Sequence, residues 1–143
     1  MDKLIKLIIF DLDGTLVNSI EDLADAVNYA LAKNGHVIHE LQKYNHFVGD
    51  GVQLLIKRAL PENASDELIF KVKEDFSEYY NQLYTEKTEL YPGINELIKA
   101  LKQRNIQLAV ASNKPDEFTK AIVLHFFGNI FSYVQGNTID IPK

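Results

Sequence analysis

Cysteine is missing altogether from this chain of 143 residues, which excludes disulfides, thiol catalysis and cysteine zinc sites. Basic charge is also short. Fifteen Lys and Arg stand against 20 Asp and Glu, for a net charge of −5. That balance disfavours nucleic acid or an anionic membrane as a main partner, since both need clustered cations, and leaves room only for a local basic pocket. No stretch approaches the ~20 apolar residues that span a bilayer. The apolar start is short, is interrupted by Lys6 and runs into Asp-Leu-Asp instead of small residues, so it does not read as a signal peptide. A cytoplasmic protein is expected. Internal repeats and low-complexity tracts are absent.

What is present is ordinary in amount and specific in pattern. Apolar residues make up 46% and charged residues 24%, the balance of a globular chain of one domain or of a core with a modest insert. The run Leu7-Ile8-Ile9-Phe10 reads as a buried parallel strand. Directly after it come Asp11 and Asp13, two acids that project to one side while the backbone stays extended. Gly14 permits a tight turn and Thr15 adds a hydroxyl. An EF-hand loop is excluded, because Thr15, Leu16 and Val17 stand where further oxygen ligands belong. Acids at the carboxyl end of a strand lie where open α/β sheets bind ligands.

The following block reads as helical. Ser19-x-x-Asp22 is a capping signal ahead of Ile20, Leu23, Ala24, Val27 and Leu31, and Asn34-Gly35 ends that helix. A short helix is expected from His39 to Tyr44. Val52, Leu55, Ile56 and Ala59 mark a third face, stopped by Pro61, and Leu68, Val72, Phe76, Tyr79 and Leu83 mark a longer one. His36 and His39 have no third ligand at useful spacing, so a solvated loop is expected there. Asn63-Ala64-Ser65 matches a glycosylation acceptor by chance, and Lys57 and Arg58 read as solvated charges.

From residue 89 strands and helices alternate. A helix carries Ile94, Leu97, Ile98 and Leu101, a strand covers 106–111, and Pro115 suits the start of a helix that buries Phe118, Ala121, Ile122 and His125. Gly128 stops it, and a last strand runs from Phe131 to Val134. The fold class expected is α/β, a Rossmann-like parallel sheet with an inserted all-helical cap. The boundaries are 1–17 and 89–143 for the core and 18–88 for the cap. Ser112 and Asn113, at the end of a second parallel strand, read as phosphate binders.

Asp11-Leu12-Asp13-Gly14-Thr15-Leu16-Val17-Asn18-Ser19 resembles motif I of the haloacid dehalogenase superfamily of phosphohydrolases. With Tyr91-Pro92-Gly93, Ala111-Ser112-Asn113-Lys114-Pro115 and the segment Phe47-Val48-Gly49-Asp50-Gly51, the chain is similar to its phosphoglycolate phosphatase branch over nearly its whole length. The resemblance implies that Asp11 is the nucleophile and a Mg2+ ligand. It gives Asp13 a metal-binding carbonyl and an acid–base carboxyl. It places Gly14, Thr15, Ser112 and Asn113 around a phosphate, Lys143 as the third-motif lysine, and Gly49, Asp50 and Gly51 on a substrate-facing cap loop. The partner implied is a small phosphorylated metabolite, foremost 2-phosphoglycolate. Alternatives are a sugar-phosphate phosphatase, a β-phosphoglucomutase-like enzyme, or a non-catalytic fragment with a binding role. The family's fourth motif, Gly-Asp with a further acid, does not appear before Lys143. The expectation is a C-terminally truncated, impaired phosphatase whose Leu7–Phe10 strand becomes an exposed edge.

Overall fold

The computed structural model describes residues 4–138. A three-stranded parallel sheet has the order β1 (Leu7–Phe10), β4 (Gln107–Pro115), β5 (Tyr133–Asn137). Leu7 to Phe10 pair with Gln107 to Val110, and Ala109 to Ala111 pair with Tyr133 to Gln135. The helices α5 (Ile94–Gln103) and α6 (Asp116–Phe127) supply Ile98, Ile122, Val123 and Phe127 to a core with Leu108 and Val110 of β4.

Between the short strands β2 (Val17–Asn18) and β3 (Glu89–Leu90) lie four helices: α1 (Ile20–Lys33), α2 (Tyr44–Phe47), α3 (Val52–Ala59) and α4 (Asp66–Leu83). β2 and β3 pair antiparallel, so the chain enters and leaves the helical insert side by side. The insert has its own core around Val27, Leu31, Tyr44, Ile56, Val72, Phe76 and Tyr80, which Phe118 of α6 joins. Each fully buried side chain of this size stabilises by about 1.5–3 kcal/mol against exposure. Among the described residues no helix is long and apolar enough to cross a membrane.

Several local expectations are corrected. β1 is half-exposed rather than buried: Leu7 and Ile9 are 47% and 61% exposed, while Ile8 and Phe10 pack on the core. Leu7 and Ile9 point to the same face of the sheet, which is left uncovered among the described residues, and β1 has β4 on one edge only. Ser19 and Asp22 do not form a capping box. Ser19 precedes α1 but makes no side-chain cap, and buried Asp22 instead accepts from the Lys87 and Thr88 amides and the Thr88 hydroxyl, at 2.7–3.1 Å. That carboxylate ties α1 to the returning chain just before β3. In α4 the buried stripe is Ile69, Val72, Phe76, Tyr80 and Leu83, one residue round from Leu68 and Tyr79 at two positions. Ser65 caps this helix, accepting from the Leu68 amide at 3.1 Å, a contact worth about 1 kcal/mol.

The short helix expected at 39–44 is a 3-10 turn at Leu41–Lys43 followed by α2. His39 is not in a solvated loop: its ring nitrogen lies 2.7 Å from the Ala59 carbonyl and its amide donates to Asn28. Leu97 and His125 are exposed. Strand β4 continues past residue 111, with a register shift between Ala111 and Pro115. The last strand lies at Tyr133–Asn137, displaced from 131–134, and Phe131 before it is a buried core residue.

Candidate active site

The acid pair sits on a closed loop at the end of β1. The amides of Thr15, Leu16 and Val17 all donate to the Leu12 carbonyl, and the Gly14 amide donates to Val17. Gly14 takes φ +80°, a left-handed conformation that suits glycine. Leu12 is fully buried between the two acids and anchors them. Asp11 and Asp13 consequently line one cleft, of about 420 Å³ including its open mouth. Asp11 accepts from the Leu12 amide at 2.9 Å.

The opposite wall comes from the irregular segment of β4. The Ser112 hydroxyl accepts from the Lys114 amide at 3.1 Å, a local bond that accompanies the departure from the ladder. Ser112, Asn113 and Lys114 all line the cleft. The Lys114 ammonium, with its side chain 3% exposed, reaches Asp13 Oδ1 at 2.9 Å. The Ser19 hydroxyl donates to the same oxygen at 2.5 Å. Burial disfavours the Lys114 charge, but Asp13 and the Tyr80 phenol overcome it and the net shift is upward. Burial pushes the Tyr80 hydroxyl up to about 12, with Lys114 opposing and Asp13 adding. At neutral pH this is a buried ammonium beside a neutral phenol.

The insert closes the cleft from above. Val48, Gly49, Gly51, Val52 and Leu55 line it, and the Asn113 amide donates to the Gly49 carbonyl at 3.1 Å. Gly51 has φ +93°, and an added Cβ would lie 3.1 Å from the Asn113 carbonyl oxygen, so glycine is needed for this close approach.

Not every residue singled out by sequence lies in this cleft. Asp50 is turned outward, paired with Arg58 Nη2 at 2.7 Å, while Arg58 Nη1 donates to the Phe47 carbonyl. Thr15 is exposed, and its amide is spent within the loop. Gly14 borders an adjoining hollow that also contains Asp13, Asn18, Ser19, Asn45 and Tyr91. Lys143 lies outside the described residues. Three further residues join the site without a signal for it in the sequence: Lys114, Tyr80 and Ser19, whose spacing to Asp22 suggests a cap instead. Lys114 stands between two residues already singled out, but a lysine in a loop is normally solvated, and only the fold shows it buried.

Oxygen donors from Asp11 and Asp13 fit a hard divalent cation. Among the described residues no group of three or more His, Asp or Glu is placed to hold a metal. Mg2+ accepts such a site, since it takes one or two carboxylates and completes its shell with water and substrate oxygens.

A parallel α/β sheet with paired aspartates at a strand end and a helical insert over them defines a class of hydrolases. The family pattern of haloacid dehalogenase-like hydrolases matches residues 5–142, and the chain belongs to that family. It is 39% identical over 140 residues to a phosphoglycolate phosphatase of Pseudomonas syringae pv. syringae, covering 94% of this chain and 51% of that protein. It is 40% identical to one of Vibrio vulnificus, covering 92% and 61%. The chain thus spans about half to three fifths of the length of these relatives. In three dimensions it matches a predicted phosphoglycolate phosphatase from Haemophilus somnus with a TM-score of 0.89 at 32% identity, over 97% of this chain and 65% of that one. CbbY from Rhodobacter sphaeroides, determined in complex with phosphate, matches with a TM-score of 0.80 at 26% identity, over 98% and 67%.

Proposed function

We propose that this chain carries the catalytic site of a Mg2+-dependent phosphatase acting on a small phosphate monoester, foremost 2-phosphoglycolate, in the cytoplasm. The observation that carries this reading is the convergence of Asp11, Asp13, Ser112 and Lys114 on one cleft under the Gly49–Gly51 loop. The phosphoglycolate phosphatases among its relatives and the phosphate in CbbY support the substrate class. In this reading residues 1–17 and 89–143 form the core, and 18–88 the cap that selects substrate.

The Asp11 carboxylate attacks phosphorus as the P–O ester bond breaks, and a proton carried by the Asp13 carboxyl, on the oxygen that Lys114 and Ser19 leave free, passes to the leaving alkoxide. Asp13 then takes a proton from water, which attacks the aspartyl-phosphate and releases inorganic phosphate, restoring Asp11. The Ser112 hydroxyl and the Asn113 backbone N–H hold phosphate oxygens, and Lys114 keeps Asp13 oriented. Mg2+ would be held by the Asp11 carboxylate and the Asp13 carbonyl, and would supply charge neutralisation for an anion attacking an anion.

A second reading, a sugar-phosphate phosphatase or mutase, is favoured by the hollow beside Asp13. Asn18, Asn45 and Tyr91 there are neutral hydrogen-bonding groups suited to hydroxyls. Phosphate release from 2-phosphoglycolate and from glucose 1- and 6-phosphates, with and without chelator, decides between them. The first reading expects 2-phosphoglycolate to give the largest kcat/KM. Preference for a hexose phosphate would overturn it in favour of the second.

A further inference from the structure

Tyr80 belongs to α4 of the helical insert, yet its ring touches the core's buried cation. The Lys114 ammonium lies 4.8 Å from the Tyr80 ring centroid while holding Asp13 at 2.9 Å. Phe76 stacks on Tyr80 at 5.2 Å and Phe118 meets it edge-on at 5.0 Å, so the ring has one orientation. Its hydroxyl is buried, and the ring face, which a phenylalanine would share, is what meets the ammonium.

We propose that Tyr80 is a positioning residue: its electron-rich ring face holds the Lys114 ammonium against Asp13, so that seating of α4 on the core sets the geometry of the acid–base carboxyl. The role given to Asp13 rests on the function proposed above; the Tyr80–Lys114–Asp13 coupling stands on the contacts alone. A desolvated ammonium over an aromatic face is attracted by the ring quadrupole, and here the partners are buried, where that attraction is largest. Lys114 has a flexible four-carbon stem, and without the ring it has room to leave Asp13 for the adjoining cleft. Tyr80 is separated from Lys114 by 34 positions, and the interaction exists only when insert and core are docked.

The test joins an activity-independent readout to kinetics. In 15N NMR of the lysine side chains, with Lys114→Gln as the assignment control, the Lys114 ammonium is expected to exchange slowly and to resonate upfield. Both features persist in Tyr80→Phe and are lost in Tyr80→Leu. Where the leucine leaves a cavity that prevents folding, Tyr80→Met keeps most of the volume and carries the same comparison. In phosphate release, Tyr80→Leu or Tyr80→Met is expected to lower kcat about 10- to 100-fold with KM within twofold, and Tyr80→Phe to recover it, as a displaced catalytic group would predict. A folded Tyr80→Leu or Tyr80→Met in which the Lys114 ammonium stays protected would overturn the coupling. No turnover in the unmodified protein would sink the phosphatase reading instead, with the NMR comparison still deciding the coupling.

Discussion

Gly136 is the tightest single position. A Cβ there would come within 2.5 Å of Asp116 Cα, 2.6 Å of Thr119 Oγ1 and 2.7 Å of the Lys114 carbonyl oxygen. Its amide donates to Asp116 at 2.8 Å, and Lys120 first and this amide second hold that carboxyl below its usual range. Backbone lies on two of the three contacts, so the clash cannot be relieved by turning a side chain. Gly136→Ala is expected to cost roughly 1–3 kcal/mol, as overpacking does, and to lower the urea midpoint accordingly. An unchanged midpoint would mean that β5 is not held as tightly as described. The sequence carried little of this. Gly136 follows a strand like any turn glycine, and its crowding exists only once β5 lies against the start of α6. The acid pair is the opposite case: Asp11 and Asp13 stand two apart in one short loop directly after β1, so their proximity is local. Lys114 and Asp13 are 101 positions apart, and no local rule pairs them.

Among the elements, helices α1 and α4 are joined through a buried acid. Asp75 is 3% exposed and accepts from Lys71, Lys33 and Asn34 at 2.8–3.2 Å. Burial alone would raise its carboxyl, but these three donors more than offset it and bring the pKa from the ordinary 3.8 to about 2. The folded carboxyl thus holds its proton less tightly than the unfolded one. Its stabilisation is complete above about pH 4 and disappears as pH falls towards 2. Urea unfolding followed from pH 5 downwards is expected to show a loss of stability across that window that is smaller in Asp75→Asn, where Asp116 alone of the two still titrates. Parallel pH slopes in the two proteins would contradict it. Helical periodicity found the α3 face correctly at Val52, Leu55, Ile56 and Ala59. In α4 it missed Ile69 and Tyr80 in favour of Leu68 and Tyr79, because neighbouring apolar residues fit two stripes 100° apart and only the partner helix chooses between them. Ser19 and Asp22 were misread for a related reason. Their spacing satisfies a capping pattern, but tertiary partners at Asp13 and at Lys87–Thr88 took both side chains.

At the scale of the whole molecule the sheet formed by the described residues has an open side. β1 lies at the edge of the described sheet with Leu7 and Ile9 exposed, an apolar row beside unpaired backbone groups. Concentration-dependent association is expected in light scattering, and Ile9→Lys, a charge on the outward face, is expected to suppress it. Scattering that stays monomeric over the same range in the unmodified chain would refute this. The α/β class and the place of the helical insert were legible because each rests on long periodic segments. The join between insert and core was not, since Asn113–Gly49, Tyr80–Lys114 and Asp22–Thr88 are all long-range contacts.

The central claim is that Asp11 attacks a phosphate ester. Its most direct test is Mg2+-dependent phosphate release from 2-phosphoglycolate by this chain and by Asp11→Asn under identical conditions. The account predicts release by the first that stops on chelation, and a loss of at least ~1,000-fold in the second, as removal of a covalent nucleophile entails. Equal release by both proteins, or none by either, would contradict it.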